Sequence, residues 1–147
     1  MKKILVALDD QRHARKALDY VTELTRHNNT SVYLMHVIPD ESLPDGFMDF
    51  MKFEHIGDSP WYWYKNTLRN EVLSPVEEEL KGKGVKNVQS DVFYGNPVRT
   101  IVQTAKEIGA DTIVMVSRGL GGLRGFLKGS VSEKVSHLAG CTCVTVK

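Results

Sequence analysis

The stretch SRGLGGLRGFLKGSVSEKV, Ser117 to Val135, carries residue types that can hold phosphate. Five glycines, Gly119, Gly121, Gly122, Gly125 and Gly129, sit between an apolar run and a helical pattern. Glycine lets a backbone approach a ligand closely. Ser130 opens the helical pattern, and the free N–H groups and positive dipole end of a helix suit an anion. Arg118, Arg124 and Lys128 add charge nearby. Asp9 and Asp10 end the first apolar run. A carboxylate at a strand's carboxyl end can hold a hydrated divalent cation beside a polyphosphate. The plainer readings are a flexible surface loop with a helix cap, and an acidic pair that serves only as turn and cap.

The standard phosphate fingerprints fail here. A P-loop needs lysine directly before the hydroxyl residue, whereas the order is Lys128-Gly129-Ser130. Gly-x-Gly-x-x-Gly needs glycine at 124, where Arg124 stands, and it belongs after the first strand. Other constellations are weaker. His13, His27, His36, His55 and His137 have no metal-site spacing. Cys141 and Cys143 could take a soft metal, but are read first as buried strand cysteines. They are expected on opposite faces of a strand, a poor geometry for a disulfide. No nucleophile elbow or Ser/His/Asp set is evident. No general base stands out beyond Asp9 or Asp10, so any enzyme activity is expected to be at most slow ATP hydrolysis.

The elements that position these groups read as alternating strands and helices. KKILVALD and SVYLMHVI are apolar without alternation, as strands buried on both faces are. Between them Ala14, Ala17, Leu18, Val21 and Leu24 fall at helical spacing, with Asp10 as the expected N-cap. NVQSDVFYG is a third, more polar strand, nearer an edge. NPVRTIVQTAKEIG predicts a helix capped by Asn96, with Pro97 first and Gly109 as its stop. ADTIVMVS is a fourth strand, SVSEKVSHLAG a helix opening on a Ser130/Glu133 capping box, and CTCVTVK a last strand. The alternation implies parallel pairing in a doubly wound sheet.

The segment from about 39 to 66 breaks the alternation. Phe47, Phe50 and Phe53, with Met48 and Met51, lie at near-helical spacing, and PWYWYKN follows. The segment reads either as a satellite cluster capping the core or as a lid or partner surface. After it, Ser74, Pro75 and Glu77 imply two helices meeting at Ser74, or one helix kinked at Pro75.

The 147 residues suit a single domain spanning 1–147. A net charge of +1 with interspersed signs gives no field for nucleic acid. No apolar run reaches membrane-spanning length, and the first ten residues are too short in apolar core for a signal peptide, so a cytoplasmic protein is expected.

The sequence resembles the universal stress protein family over almost its full length. ILVALDDQRHARKALDYV is similar to the family's opening strand, aspartate and helix. YGNPVRTIVQTAKEIGADTIVMVSRG resembles its Gly-x-Pro helix and Ala-Asp strand. The glycine stretch resembles the Gly-x2-Gly-x9-Gly-Ser/Thr motif of the nucleotide-binding branch, with Gly119, Gly129 and Ser130 in place. The resemblance implies a five-stranded parallel sheet in order 3-2-1-4-5, of the adenine nucleotide alpha hydrolase-like class. It implies a stress-response regulator that binds ATP or another adenine nucleotide. It also implies a homodimer, often paired through the last strand. No nucleic acid or membrane is expected as a partner, and the identity of any protein partner stays open.

Carried over by position, the resemblance puts Asp9 near nucleotide and Mg2+, with Ala7 and Leu8 leading into it. Val37 and Ile38 fall where the base is contacted. Met115, Val116, Arg118 and Gly119 line the middle, and Gly129, Ser130 and Val131 hold the phosphates. Val116 replaces the motif's first glycine, and Asp10 stands where glycine is frequent. A branched side chain at 116 would crowd a ribose or phosphate if it faced the ligand, and would cost nothing if it pointed into the core. A second carboxylate at Asp10 would repel a triphosphate unless a cation lay between. The alternative reading is a homodimeric interaction protein of the same fold that binds no nucleotide, with Phe47 to Tyr64 as its partner surface.

Overall fold

The computed structural model describes residues 2–9, 14–40, 46, 60–116 and 129–147. Five strands, β1 (Lys2–Ala7), β2 (Thr30–Pro39), β3 (Asn87–Gly95), β4 (Thr112–Val116) and β5 (Thr142–Val146), form one parallel sheet in order β3-β2-β1-β4-β5. Polar β3 lies at an edge, as its composition predicts. The helices are α1 (Arg15–Thr25), α2 (Pro60–Leu68), α3 (Ser74–Gly82), α4 (Pro97–Ile108) and α5 (Gly129–Leu138).

Two cores follow from period-two alternation along buried strands. Ile4, Val6, Leu8, Leu34, Val114 and Val116 meet α1 and α3 on one face. Leu5, Ala7, Met35, Val37, Ile113 and Met115 meet Ile101 and Ala105 of α4 and Val135 of α5 on the other.

The α4 ends match their sequence signals. The Asn96 side chain accepts a hydrogen bond from the Arg99 N–H at 3.0 Å, Pro97 opens the helix, and Gly109 closes it at φ 67°. Just before it Gly95 has φ 148°, and a Cβ there would lie 3.2 Å from Thr100 Oγ1. The other caps differ from expectation. α1 is described from Arg15 with no side-chain cap at Ala14, and Asp10 lies outside the described residues. α5 is described from Gly129, with Ser130 already helical rather than a cap.

The crossover before β3 is neither two capped helices nor a simple kink. α2 and α3 are joined by a π turn, Arg69–Leu73. The Ser74 N–H donates to the Arg69 carbonyl, five residues back, so Ser74 is helical rather than a cap. Pro75 offers no N–H to the Glu71 carbonyl and its ring crowds it; a wide turn just before it relieves both. Glu77 is therefore not a capping-box partner. It accepts hydrogen bonds from Ser90 Oγ at 2.7 Å and Lys81 Nζ at 2.8 Å, while Arg69 Nε donates to Ser90 Oγ at 3.3 Å. With the Lys65–Asp91 pair at 3.0 Å, this network clasps the β3 edge.

The phenylalanine-rich part of the long segment lies outside the described residues. Its end divides in two. Trp61 and Tyr64 pack on the core, with Trp61 edge-on to Tyr94 at 6.4 Å. Tyr62 and Trp63 are 46% and 64% exposed. Cys141 and Cys143 are free thiols. They pack against the same core, as residues two apart in a strand must, which corrects the expectation of opposite faces. Burial pushes both thiols above their ordinary pKa, with the charge of Asp111 adding to the effect at Cys141.

Burial works to raise the Glu77 carboxyl, but the Lys81 and Ser90 hydrogen bonds and the Lys81 and Arg69 charges outweigh it and hold the pKa below 4.5. A carboxylate depressed in the folded state stabilises it above the unfolded pKa and loses that effect as pH falls through the folded one. Glu77→Gln is expected to cost about 1 kcal/mol at neutral pH, and the difference from wild type should shrink below pH 4.5. Urea unfolding at both pH values measures it. Leu73→Ala, which empties a fully buried position of the π turn, is expected to cost about 2–5 kcal/mol.

Candidate functional site

The chain leaves β1 to build β2 and β3 on one side, then returns to place β4 on the other. α1 after β1 and α5 after β4 lie on opposite faces of the sheet, the arrangement in which a crevice is expected at the carboxyl ends of the two strands. The β1–β4 ladder ends at Ala7 and Met115. Beyond it Leu8 stays with β2: its N–H donates to the Met35 carbonyl at 2.9 Å, and its carbonyl lies 3.0 Å from His36 Nδ1. Asp9, half-buried, follows at the crevice. α5 runs back across the sheet after β4, so its first turn lies at this same end. The N–H groups of that turn have no acceptor within the helix.

The candidate residues fall into three groups. Ala7, Leu8, Val37 and Met115 are fully buried, and Ile38 and Val116 nearly so. Their side chains are packed into the two cores, so a ligand at this end of the sheet would meet their backbone. Asp9 follows β1, and the start of α5 follows β4, at the same end of the sheet. Val131 is half-buried against the α4/α5 core, which fixes the phase of that first turn. Of Gly129 and Ser130, only their place in the helix is described. Arg118, Gly119 and Asp10 lie outside the described residues. His36, which holds the carbonyl before Asp9, was missed by sequence reading. Nothing in its spacing marks it, because its partner is a backbone atom 28 residues away.

Val116 is 6% exposed and packs in the α1/α3 core beside Val6, Leu8 and Val114. Its side chain points into that core, so the residue that stands in place of the motif's glycine fills core. Among the described residues no group of three His, Cys, Asp or Glu could hold a metal by itself. Any cation at Asp9 would therefore need ligands from elsewhere, as a phosphate-held Mg2+ has.

A five-stranded parallel sheet of this order, with helices on both faces, defines the adenine nucleotide alpha hydrolase-like fold. The universal stress protein family profile matches residues 1–147. The chain is 32% identical over 149 residues to universal stress protein YxiE of Bacillus subtilis (strain 168), across 99% of this chain and 98% of that one. It therefore belongs to the universal stress protein family. Among solved structures, hypothetical protein MJ0577 superposes with a TM-score of 0.75 at 27% identity, over 99% of this chain and 95% of that one. A universal stress protein from Archaeoglobus fulgidus, in complex with dAMP, superposes at 0.68 and 20% identity over 100% and 98%. A universal stress protein in complex with cAMP superposes at 0.65 and 18% identity over 99% and 96%.

Val116→Gly is expected to destabilise the fold by about 2–4 kcal/mol, from lost burial and a flexible strand residue. Nucleotide affinity of the folded protein should not change. Chemical unfolding and calorimetric titration of the variant separate the two effects, and a tighter complex would show that the valine does face the ligand.

Proposed function

We propose that this chain is a stress-response regulatory protein that binds ATP, with Mg2+, in the crevice between Asp9 and the start of α5. One observation carries the reading. β1 and β4 part at the topological switch point, with a half-buried carboxylate at the end of one and a helix N-terminus following the other. Backbone N–H groups of Gly129, Ser130 and Val131 would take phosphate oxygens. Asp9 would take the hydrated cation that those phosphates hold. Two proteins of the same fold are complexes with dAMP and cAMP, which favours an adenine nucleotide.

Homodimerisation through β5 belongs to the same proposal. Among the described residues no strand pairs with the outer edge of β5, whereas charged side chains clasp the β3 edge. TCVTV carries no charge or proline to blunt pairing. The exposed Tyr62 and Trp63 favour a second reading, an interaction protein that needs no nucleotide. No helix among the described residues is long and apolar enough to cross a membrane.

A ligand that binds only the folded state raises its melting temperature, by about 2.7 kcal/mol of stabilisation at a hundredfold excess over Kd. Wild type should melt higher with millimolar ATP and Mg2+, and Gly129→Asp should not respond. An unshifted wild type would favour the interaction reading. Thr145→Lys, at an exposed β5 position, should convert the dimer to monomer in light scattering without unfolding it.

A further inference from the structure

β1 loses its neighbour on one side just where Asp9 must be held. Its ladder with β4 ends at Ala7 and Met115, while the Leu8 N–H still donates to Met35 of β2. In an extended strand the N–H and C=O of one residue point to the same neighbour. The Leu8 carbonyl thus also points to β2, where His36 Nδ1 lies 3.0 Å away. A carbonyl oxygen only accepts, so Nδ1 donates and carries the ring proton. His36 lies on the α1/α3 side of β2, between Leu34 and Ile38, and is half-buried. Its ring therefore acts as one more rung on the β2 side after the β1 ladder stops.

The Leu8 carbonyl and the Asp9 N–H belong to one planar trans peptide and point in opposite directions. Holding the carbonyl toward β2 turns the Asp9 N–H toward the β4 side, where the crevice opens. We propose that His36 is a positioning residue. Its Nδ1–H sets the orientation of the Leu8–Asp9 peptide, and so fixes how Asp9 is presented to a ligand in the crevice. The ligand part of this assignment rests on the nucleotide reading above; the peptide orientation does not.

Two variants separate positioning from bulk. His36→Asn keeps an N–H donor near the place of Nδ1, and His36→Leu fills space without one. Calorimetric titration with ATP and Mg2+ should show affinity about fivefold weaker in His36→Leu, and within about twofold of wild type in His36→Asn. A purely structural histidine would lower the melting temperature of His36→Leu and leave the affinity of its folded fraction unchanged; that result would overturn the proposal. The ligand-free protein gives a second readout. Long-range 1H–15N spectra at mildly alkaline pH should find His36 as the Nδ1–H tautomer, and amide exchange at Asp9 should quicken in His36→Leu but not in His36→Asn. An Nε2–H tautomer with bare Nδ1 would overturn the anchoring whether or not nucleotide binds. A wild type with the expected tautomer and no ATP binding would defeat only the nucleotide reading.

Discussion

The central strand β1 is paired on both edges and buried on both faces, and the remaining geometry is referred to it. Ile4 and Val6 pack under α1 and α3; Leu5 and Ala7 pack under α4 and α5. Fully burying one such side chain is worth roughly 1.5–3 kcal/mol for the larger residues. Sliding the strand by one residue would swap the two sets between the helix layers and shift its pairing on both edges. The strand therefore holds a fixed register, and whatever follows it inherits a fixed origin. Asp9 is the first residue beyond that clamp. It gains freedom on the β4 side and keeps its tether on the β2 side, which combines a defined place with access to a crevice.

Much of this was legible in the sequence. Apolar runs without alternation identify doubly covered strands, and the asparagine, proline and glycine of α4 mark its ends because each meets a specific backbone need. The polar third strand reads as an edge because central strands have no polar face to offer. The lost information is of another kind. The Ser-x-x-Glu pattern at Ser74 has the right letters for a cap, yet Glu77 is better satisfied by Ser90 and Lys81, contacts that exist only after β3 has docked. The role of His36 is likewise tertiary. Val116 looked like damage to a motif because its facing was unknown. Strand alternation, counted from Val6 and Val114, turns it inward.

The two ends of the sheet are treated differently. At β3, Lys65 of α2, Arg69 of the π turn and the Glu77 carboxylate of α3 converge on Ser90 and Asp91. At β5 the half-buried residues are cysteine and valine, with burial raising the thiol pKa. Charged side chains cover one edge, and TCVTV at the other carries none, so the two edges differ in what would oppose an added strand.

The π turn has a consequence for the aromatic helix before it. Trp61, Tyr64 and Leu68 touch the core at intervals of three and four residues, as do Leu73, Val76 and Leu80. Inside the wide turn Val72 and Leu73 both reach the core, four and five residues after Leu68, and a step of five is one that an ordinary helix at 3.6 residues per turn would throw well off the shared face. The wide turn absorbs that step and works as a phase adjuster. Two amphipathic stripes that would otherwise spiral apart are spliced into one. Removing a single residue from it would swing Trp61 and Tyr64 off the core and roll Tyr62 and Trp63 to a new bearing. The direction in which that aromatic pair faces solvent is thus set by a backbone detail several residues downstream, rather than by the aromatic side chains themselves.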